Sequence, residues 1–207
     1  CNYLFVYNKK SYITLRIKYR KLKTFNMNFY KKRFKLLNQL SNKLNTKDIE
    51  YLESMIIDTN KIGGKVILCG NGGSSATASH VSVDFTISTN IKAINFNEYN
   101  LITCFSNDFG YENWIKKSLE IYGSPKDLLI LISCSGNSKN LINANNYAKN
   151  IGMKVATLTG CKKTNKLNSN KYNHSIWINS KDYNVVESIH HTILLTIVDS
   201  IKKKFKK

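Results

Sequence analysis

Two short loops rich in glycine and serine hold residues whose types and spacing suit chemistry: Gly70-Asn71-Gly72-Gly73-Ser74 and Ser133-Cys134-Ser135-Gly136-Asn137-Ser138. Each closely follows an apolar run, KVILC over 65–69 and DLLILI over 127–132. The glycines permit tight turns with positive φ and bare N–H groups. The hydroxyls of Ser133, Ser135 and Ser138 add donors, and a helix starting after each loop favours an anion at its N-terminus. The result is a phosphate cradle that contains no Arg or Lys and suits a phosphate monoester. One such loop alone is also what an ordinary strand-to-helix turn needs. Two of them, each behind a core strand, point to a ligand. No GxxxxGK[ST] and no GxGxxG follows a strand, so no nucleotide cofactor is expected.

These loops need strands before them and helices behind them, and the rest of the chain supplies both. Helical spacing of apolar residues covers 29–44 (Phe34, Leu37, Leu40, Leu44) and 48–62 (Ile49, Leu52, Met55, Ile56), with Thr46 as a candidate cap for the second and Gly63-Gly64 as its stop. After the strand at 65–69 comes a small-residue helix to about Ser88 and an apolar run at 92–96. A helical turn near 99–106 and a helix over 111–122 follow. The strand at 127–132 leads to a helix over 139–151 that Gly152 stops, strands at 154–158 and 175–178, and a last helix over 184–204. Strands alternating with helices predict an α/β fold, a doubly wound parallel sheet behind an N-terminal helical hairpin. In such a sheet the ligand lies outside the carboxyl ends of the strands, where both special loops fall.

The charge balance narrows the partners. The 207 residues carry 32 Lys and Arg against 13 Asp and Glu, a formal +19. Residues 1–47 hold 13 basic residues and no acid, and 202–207 hold five Lys, so the segment between them is close to neutral. Arg is the usual tool of bidentate base and phosphate recognition, and there are only three, Arg16, Arg20 and Arg33. A nucleic-acid partner is therefore not expected. Neither is a membrane one, since no apolar run approaches the roughly 20 residues of a spanning helix. Five widely spaced Cys (1, 69, 104, 134, 161) without a CxxC pair read as reduced thiols of a cytoplasmic protein. Residues 1–26 precede the first Met, Met27, and lack the order of a secretory signal. They are expected to be a non-native or disordered basic leader, with 27–207 forming a single domain; a basic tether is the alternative.

GNGGS at 70–74, SND at 106–108 and SxSGNS at 133–138 stand in the order and spacing of the SIS (sugar isomerase) domain, and the chain resembles its phosphoheptose isomerase branch over roughly 29–201. The resemblance implies a flavodoxin-like fold and a homotetramer with sites between subunits. It also implies a small phosphorylated sugar as substrate, of the sedoheptulose 7-phosphate kind. Phosphate contacts would come from Ser74, Ser133, Ser135 and Ser138, and sugar contacts from Asn71, Gly72, Gly73, Asn107 and Asp108. Cys134 stands where the family usually has Thr, which removes one hydroxyl from the cradle, and Asn137 belongs to the same loop.

The catalytic positions depart further from the family. Aldose–ketose isomerisation moves a proton between adjacent carbons through an enediol, so it needs a carboxylate or imidazole base and a second acid/base across the sugar. The family's His and Glu on the helix after GNGGS correspond to His80 and Asp84, an i,i+4 pair. On the last helix Glu187 takes the place of a Gln, and Leu195 that of the family's catalytic His. Glu187, His191 and Leu195 are i, i+4 and i+8, so His191 faces the same way one turn earlier; His190 is rotated by about 100° and is expected in the core. The expected catalytic groups are Asp84, His191 and Glu187. His80, Asp84, Glu187 and His191 make a two-imidazole, two-carboxylate set that can bind Zn²⁺ or work as a metal-free acid/base pair. The alternative function is a non-catalytic phosphosugar-binding scaffold, as in a relative of this branch that associates with the replication initiator DnaA.

Overall fold

The computed structural model describes residues 28–205; the leader expected over 1–26 and the last two lysines lie outside them. The chain divides into two compact units between Lys43 and Leu44. Within the first, residues 28–41 form a helix, α1. The second carries α2 (Thr46–Lys61), β1 (Val66–Gly70), α3 (Gly73–Thr89), β2 (Ala93–Asn95), α4 (Tyr99–Phe109) and α5 (Trp114–Tyr122). It continues with β3 (Leu128–Ser133), α6 (Lys139–Asn150), β4 (Lys154–Thr159), β5 (His174–Trp177) and α7 (Tyr183–Phe205).

All five strands pair in parallel, in the order β2-β1-β3-β4-β5. The chain leaves β1 toward one edge and returns to build the other from β3, so the winding reverses between β1 and β3. This is the doubly wound sheet expected from the alternation of periods. β1 and β3 are buried along their whole length, which is why they appear in sequence as unbroken apolar runs rather than alternating ones. On one face Ile67, Leu129, Leu131 and Val155 pack with Trp114, Ile115 and Leu119 of α5 and Leu141, Ala144 and Ala148 of α6. On the other, α3 and α7 lie side by side. Asp127 joins the entries of β1 and β3. Its buried carboxylate accepts from the backbone N–H of Lys65 and of Ser124, each at 2.9 Å, and from Lys65 Nζ at 2.5 Å.

Several boundaries differ from the sequence expectation. Asn45, not Thr46, caps α2, its side chain accepting from Lys47 N–H. The turn expected near 99–106 is a full helix, because Glu98 caps it through Leu101 N–H at 2.7 Å and Leu101, Ile102 and Phe105 pack on the core. That helix carries the SND residues on its last turns. Gly110, at φ 82°, then ends α4, so α5 starts at Trp114 instead of Tyr111.

Candidate functional site

The two loops singled out above leave the carboxyl ends of β1 and β3 at the point where the winding reverses, the place an open parallel sheet offers a ligand. They are tied to each other. Asn71 Nδ2 donates to Asn140 Oδ1 at 3.0 Å, and Asn140 Nδ2 donates back to Asn71 Oδ1 at 2.8 Å. Asn71 Oδ1 also accepts from the Tyr111 hydroxyl at 3.1 Å. From the other side the chain after β4 braces the second loop, through Gly160 N–H to Cys134 O and Leu167 N–H to Gly136 O. Gly136 has φ 63°, and a Cβ there would run into the Asn165 side chain.

A cavity of about 150 Å³ lies between the loops, walled by Asn71, Ser74, Ser133, Cys134, Ser135 and Ser138, with Tyr183 and Glu187 from α7 closing it. Ser133 Oγ accepts from Gly136 N–H and Ser135 Oγ from Asn137 N–H, which leaves each hydroxyl proton free to donate. Neither α3 nor α6 has a side-chain cap where it begins, at Gly72 and Ser138. On α3 the Ser74 and Ser75 N–H groups bond Asn71 O and Gly72 O, and on α6 the Leu141 N–H bonds Asn140 Oδ1, so the first-turn amides left for an anion are those of Gly73, Lys139 and Asn140. Among the described residues no cationic one lines this cavity. Cys134 is a thiol rather than a thiolate here: burial, with the Glu187 carboxylate nearby, pushes its pKa up to about 12, and its Sγ lies 3.7 Å from Tyr183 O.

A second cavity of about 500 Å³ opens beside it, between α3 and α7, with Gly73, Thr77 and His80 on one wall and Asn184, Glu187 and His191 on the other. Glu187 lines both cavities. Its carboxylate lies against Gly73, the first residue of α3, where the helix dipole favours negative charge. A methyl group on Gly73 would occupy the space of the Glu187 carboxylate. The flexible end of Glu187 can swing away, so Gly73→Ala is expected to fold normally while displacing this carboxylate. Crystallography should show the movement, and turnover should fall roughly tenfold or more if the carboxylate acts as an acid/base.

Across the same cavity His191 Nε2 lies 2.9 Å from His80 Nδ1, with the rings edge to face. On the far edge of His80, Nε2 lies 3.3 Å from Asp84 Oδ2. Burial and the neighbouring His80 ring hold the His191 pKa below its usual value, partly offset by Asp84. His190 is fully buried, and its Nε2–H donates to Thr159 O at 3.2 Å. His174 is structural too, its Nε2 2.7 Å from Asp48 O.

The structure thus brings together most of the residues expected from the sequence; Gly72 and Asp84, however, line neither cavity. Asn107 and Asp108 stand exposed near the end of α4, hydrogen-bonded to each other, and line neither cavity. Asn137 braces its loop by accepting from Lys166 N–H instead of lining the cradle. The zinc set of His80, Asp84, Glu187 and His191 does not converge. Metal ligands must aim their lone pairs at one point, whereas Asp84 and His191 occupy opposite edges of the His80 ring. Among the described residues no group of three or more His, Cys, Asp or Glu could hold a metal ion. Asn140, Tyr183, Asn184 and Thr77 are site residues that sequence reasoning missed. The helical spacing of Asn184 to Glu187 and His191, and of Thr77 to His80 and Asp84, was the signal that could have found two of them.

The family model described as SIS domain matches residues 28–160. The chain is 41% identical over 130 residues to the phosphoheptose isomerase of Sodalis glossinidius, which covers 60% of this chain and 67% of that one. It is 42% identical over 126 residues to that of Histophilus somni, covering 58% and 65%. The match therefore spans about two thirds of these relatives. Among solved structures, a phosphoheptose isomerase from Neisseria gonorrhoeae superposes with a TM-score of 0.80 at 23% identity, over 87% of this chain and 99% of the other. One from Francisella tularensis gives 0.77 at 24%, over 88% and 98%.

Proposed function

The chain belongs to the SIS domain family, and from that premise we propose that it is a ketose–aldose isomerase of a sugar phosphate, of the sedoheptulose 7-phosphate kind. The observation that carries this reading is the pair of adjoining cavities. One is lined by serine hydroxyls and helix amides and takes an anion; the other presents His191 and Glu187, four residues apart on α7. A phosphate held in the first leaves the sugar chain to extend into the second. There a base takes a proton from C1 of the ketose as O2 gains one, giving the enediol. Return of a proton to C2 and loss of the O1 proton complete the aldose. His191 is assigned the carbon proton and Glu187 the transfer between the oxygens.

The donor geometry supports a metal-free reaction, since Asp84 stands behind His80. A second copy of the chain is the proposed cover for the open side of the larger cavity. Val83 and Ile87, 52% and 79% exposed, share the outer stripe of α3 with His80 and Asp84, and burying them would also screen the imidazoles from water. The free thiols among the described residues fit the reducing cytoplasm. No helix among those residues is long and apolar enough to cross a membrane.

Incubation with sedoheptulose 7-phosphate in deuterated water tests the proposal. The expected result is deuterium at C2 of the aldose product, unchanged after exhaustive dialysis against a chelator. Absence of exchange with every six- and seven-carbon ketose phosphate would sink the reading. Activity lost on chelation and restored by Zn²⁺ would instead return a metal to the site.

A further inference from the structure

A third cavity, of about 420 Å³, lies at the opposite end of the sheet from the two loops, between α2 and the amino ends of β4 and β5. Its size falls within the roughly 300–1,000 Å³ of small-molecule sites. The charged residues that line it are Lys154 and Lys171; no carboxylate does, and neither lysine is ion-paired among the described residues. The ammonium of Lys149 adds charge nearby, 5.9 Å from the centre of the Tyr172 ring. Three rings share the wall with the two lysines, those of Tyr51, Tyr172 and His174. His174 Nε2–H donates to Asp48 O at 2.7 Å, and the Tyr51 ring meets the imidazole edge to face at 4.8 Å. Tyr172 donates its hydroxyl to Met153 O at 3.2 Å and its N–H to Asn170 Oδ1 at 3.0 Å. Asn173, also in the wall, donates through Nδ2 to Leu167 O, while its Oδ1 is buried with no hydrogen-bond partner among the described residues. A buried acceptor without a partner calls for a donor from outside the protein.

We propose that this cavity binds a mononucleotide, an aromatic base carrying a phosphate, at a site separate from the two cavities of the sugar-phosphate reading. The ammonium groups of Lys154 and Lys171 take the phosphate. The base lies against the tyrosine and imidazole rings, and one of its N–H groups donates to Asn173 Oδ1. The glycine motifs that the chain lacks serve nucleotide sites at the carboxyl ends of strands, where helix amides hold the phosphate. At the amino ends lysines supply that attraction, and no such motif is needed.

NMR titration of the ¹⁵N-histidine-labelled full chain with AMP tests the site, with ribose 5-phosphate, adenosine and inorganic phosphate as partial ligands. AMP should shift the side-chain signals of His174, assigned by their loss in His174→Gln. It should bind about tenfold or more tightly than any partial ligand, since each of them lacks the phosphate or the base. Lys154 and Lys171 are both exposed, so the double variant Lys154→Gln, Lys171→Gln should keep its fold by circular dichroism while its affinity for AMP falls about tenfold or more. Lys154→Arg with Lys171→Arg, which keeps the charges, should retain binding. A spectrum in which millimolar AMP leaves His174 unmoved or shifts His191 alone overturns the proposal. So does ribose 5-phosphate binding as tightly as AMP, or unchanged affinity in the glutamine variant. Because the readout is binding at His174, the result stands whether or not the protein isomerises a sugar phosphate.

Discussion

His191→Ala should lower kcat by about 10²- to 10⁴-fold, the range usually lost with a positioned general acid–base, with KM within about threefold of the parent. The side chain occupies the wall of the larger cavity, whereas the serine hydroxyls proposed to hold phosphate line the smaller one, so removing it should spare ground-state binding. Its lowered pKa, caused by burial and by His80, keeps it a free base at neutral pH. The adjoining His190 provides the internal control. It points the other way on α7, is fully buried, and is held neutral by burial with a pKa pushed down to about 4. His190→Ala should therefore weaken the fold and leave the turnover of the folded fraction intact. Following ketose and aldose phosphate by NMR, with circular dichroism as a check on folding, separates the two. A His191→Ala protein with parental kcat would remove His191 from the chemistry.

The second large effect concerns stability. Asp127→Ala should cost about 3 kcal/mol, because it strands two backbone N–H groups and one ammonium that share a buried carboxylate. The Lys65 side chain is 26% exposed and can regain water, while Asp127 is 3% exposed, so the loss stays at the lower end of the range for broken buried pairs. For a domain of this size the melting temperature should fall by roughly 6–12 °C. Differential scanning calorimetry measures it. The site should be spared in the protein that remains folded, since Asp127 lies at the amino ends of β1 and β3 and the cavities at their carboxyl ends. A fall below 2 °C would mean that this carboxylate is not what joins the two strand entries.

The sheet and the phosphate loops were legible for one physical reason. β1 and β3 are covered on both faces, so they must be short unbroken apolar runs, and a chain that then turns sharply into a helix needs the glycines of 70–73 and 136. α4 was harder to read: its cap is a Glu, less common there than Asn, Asp or Ser, and it has no fully buried residue. The expected catalytic residues were half legible. Periodicity placed His80 with Asp84 and Glu187 with His191 on their helix faces, and it separated His191 from His190. It could not say that Asp84 would sit at the far edge of His80 from His191, because that depends on side-chain rotamers and on how closely α3 and α7 approach. The same limit explains Asn107 and Asp108, whose motif was visible but whose helix carries them to the surface. Leu195 lies one turn beyond His191 on α7, so spacing places the two residues on one stripe of that helix.

The reciprocal amide bonds of Asn71 and Asn140 have a consequence for recognition. They hold the β1 and β3 loops in one arrangement before any ligand arrives, and Asn140, 2% exposed, has nowhere else to turn. Ordering a flexible loop consumes binding free energy, at about 0.5–1.5 kcal/mol for each side chain immobilised. A cradle latched in advance avoids that loss, so a few neutral hydroxyls and amides can grip a small anion without help from a lysine or arginine. For the proposed phosphate site, rigidity would then supply the affinity that charge does not.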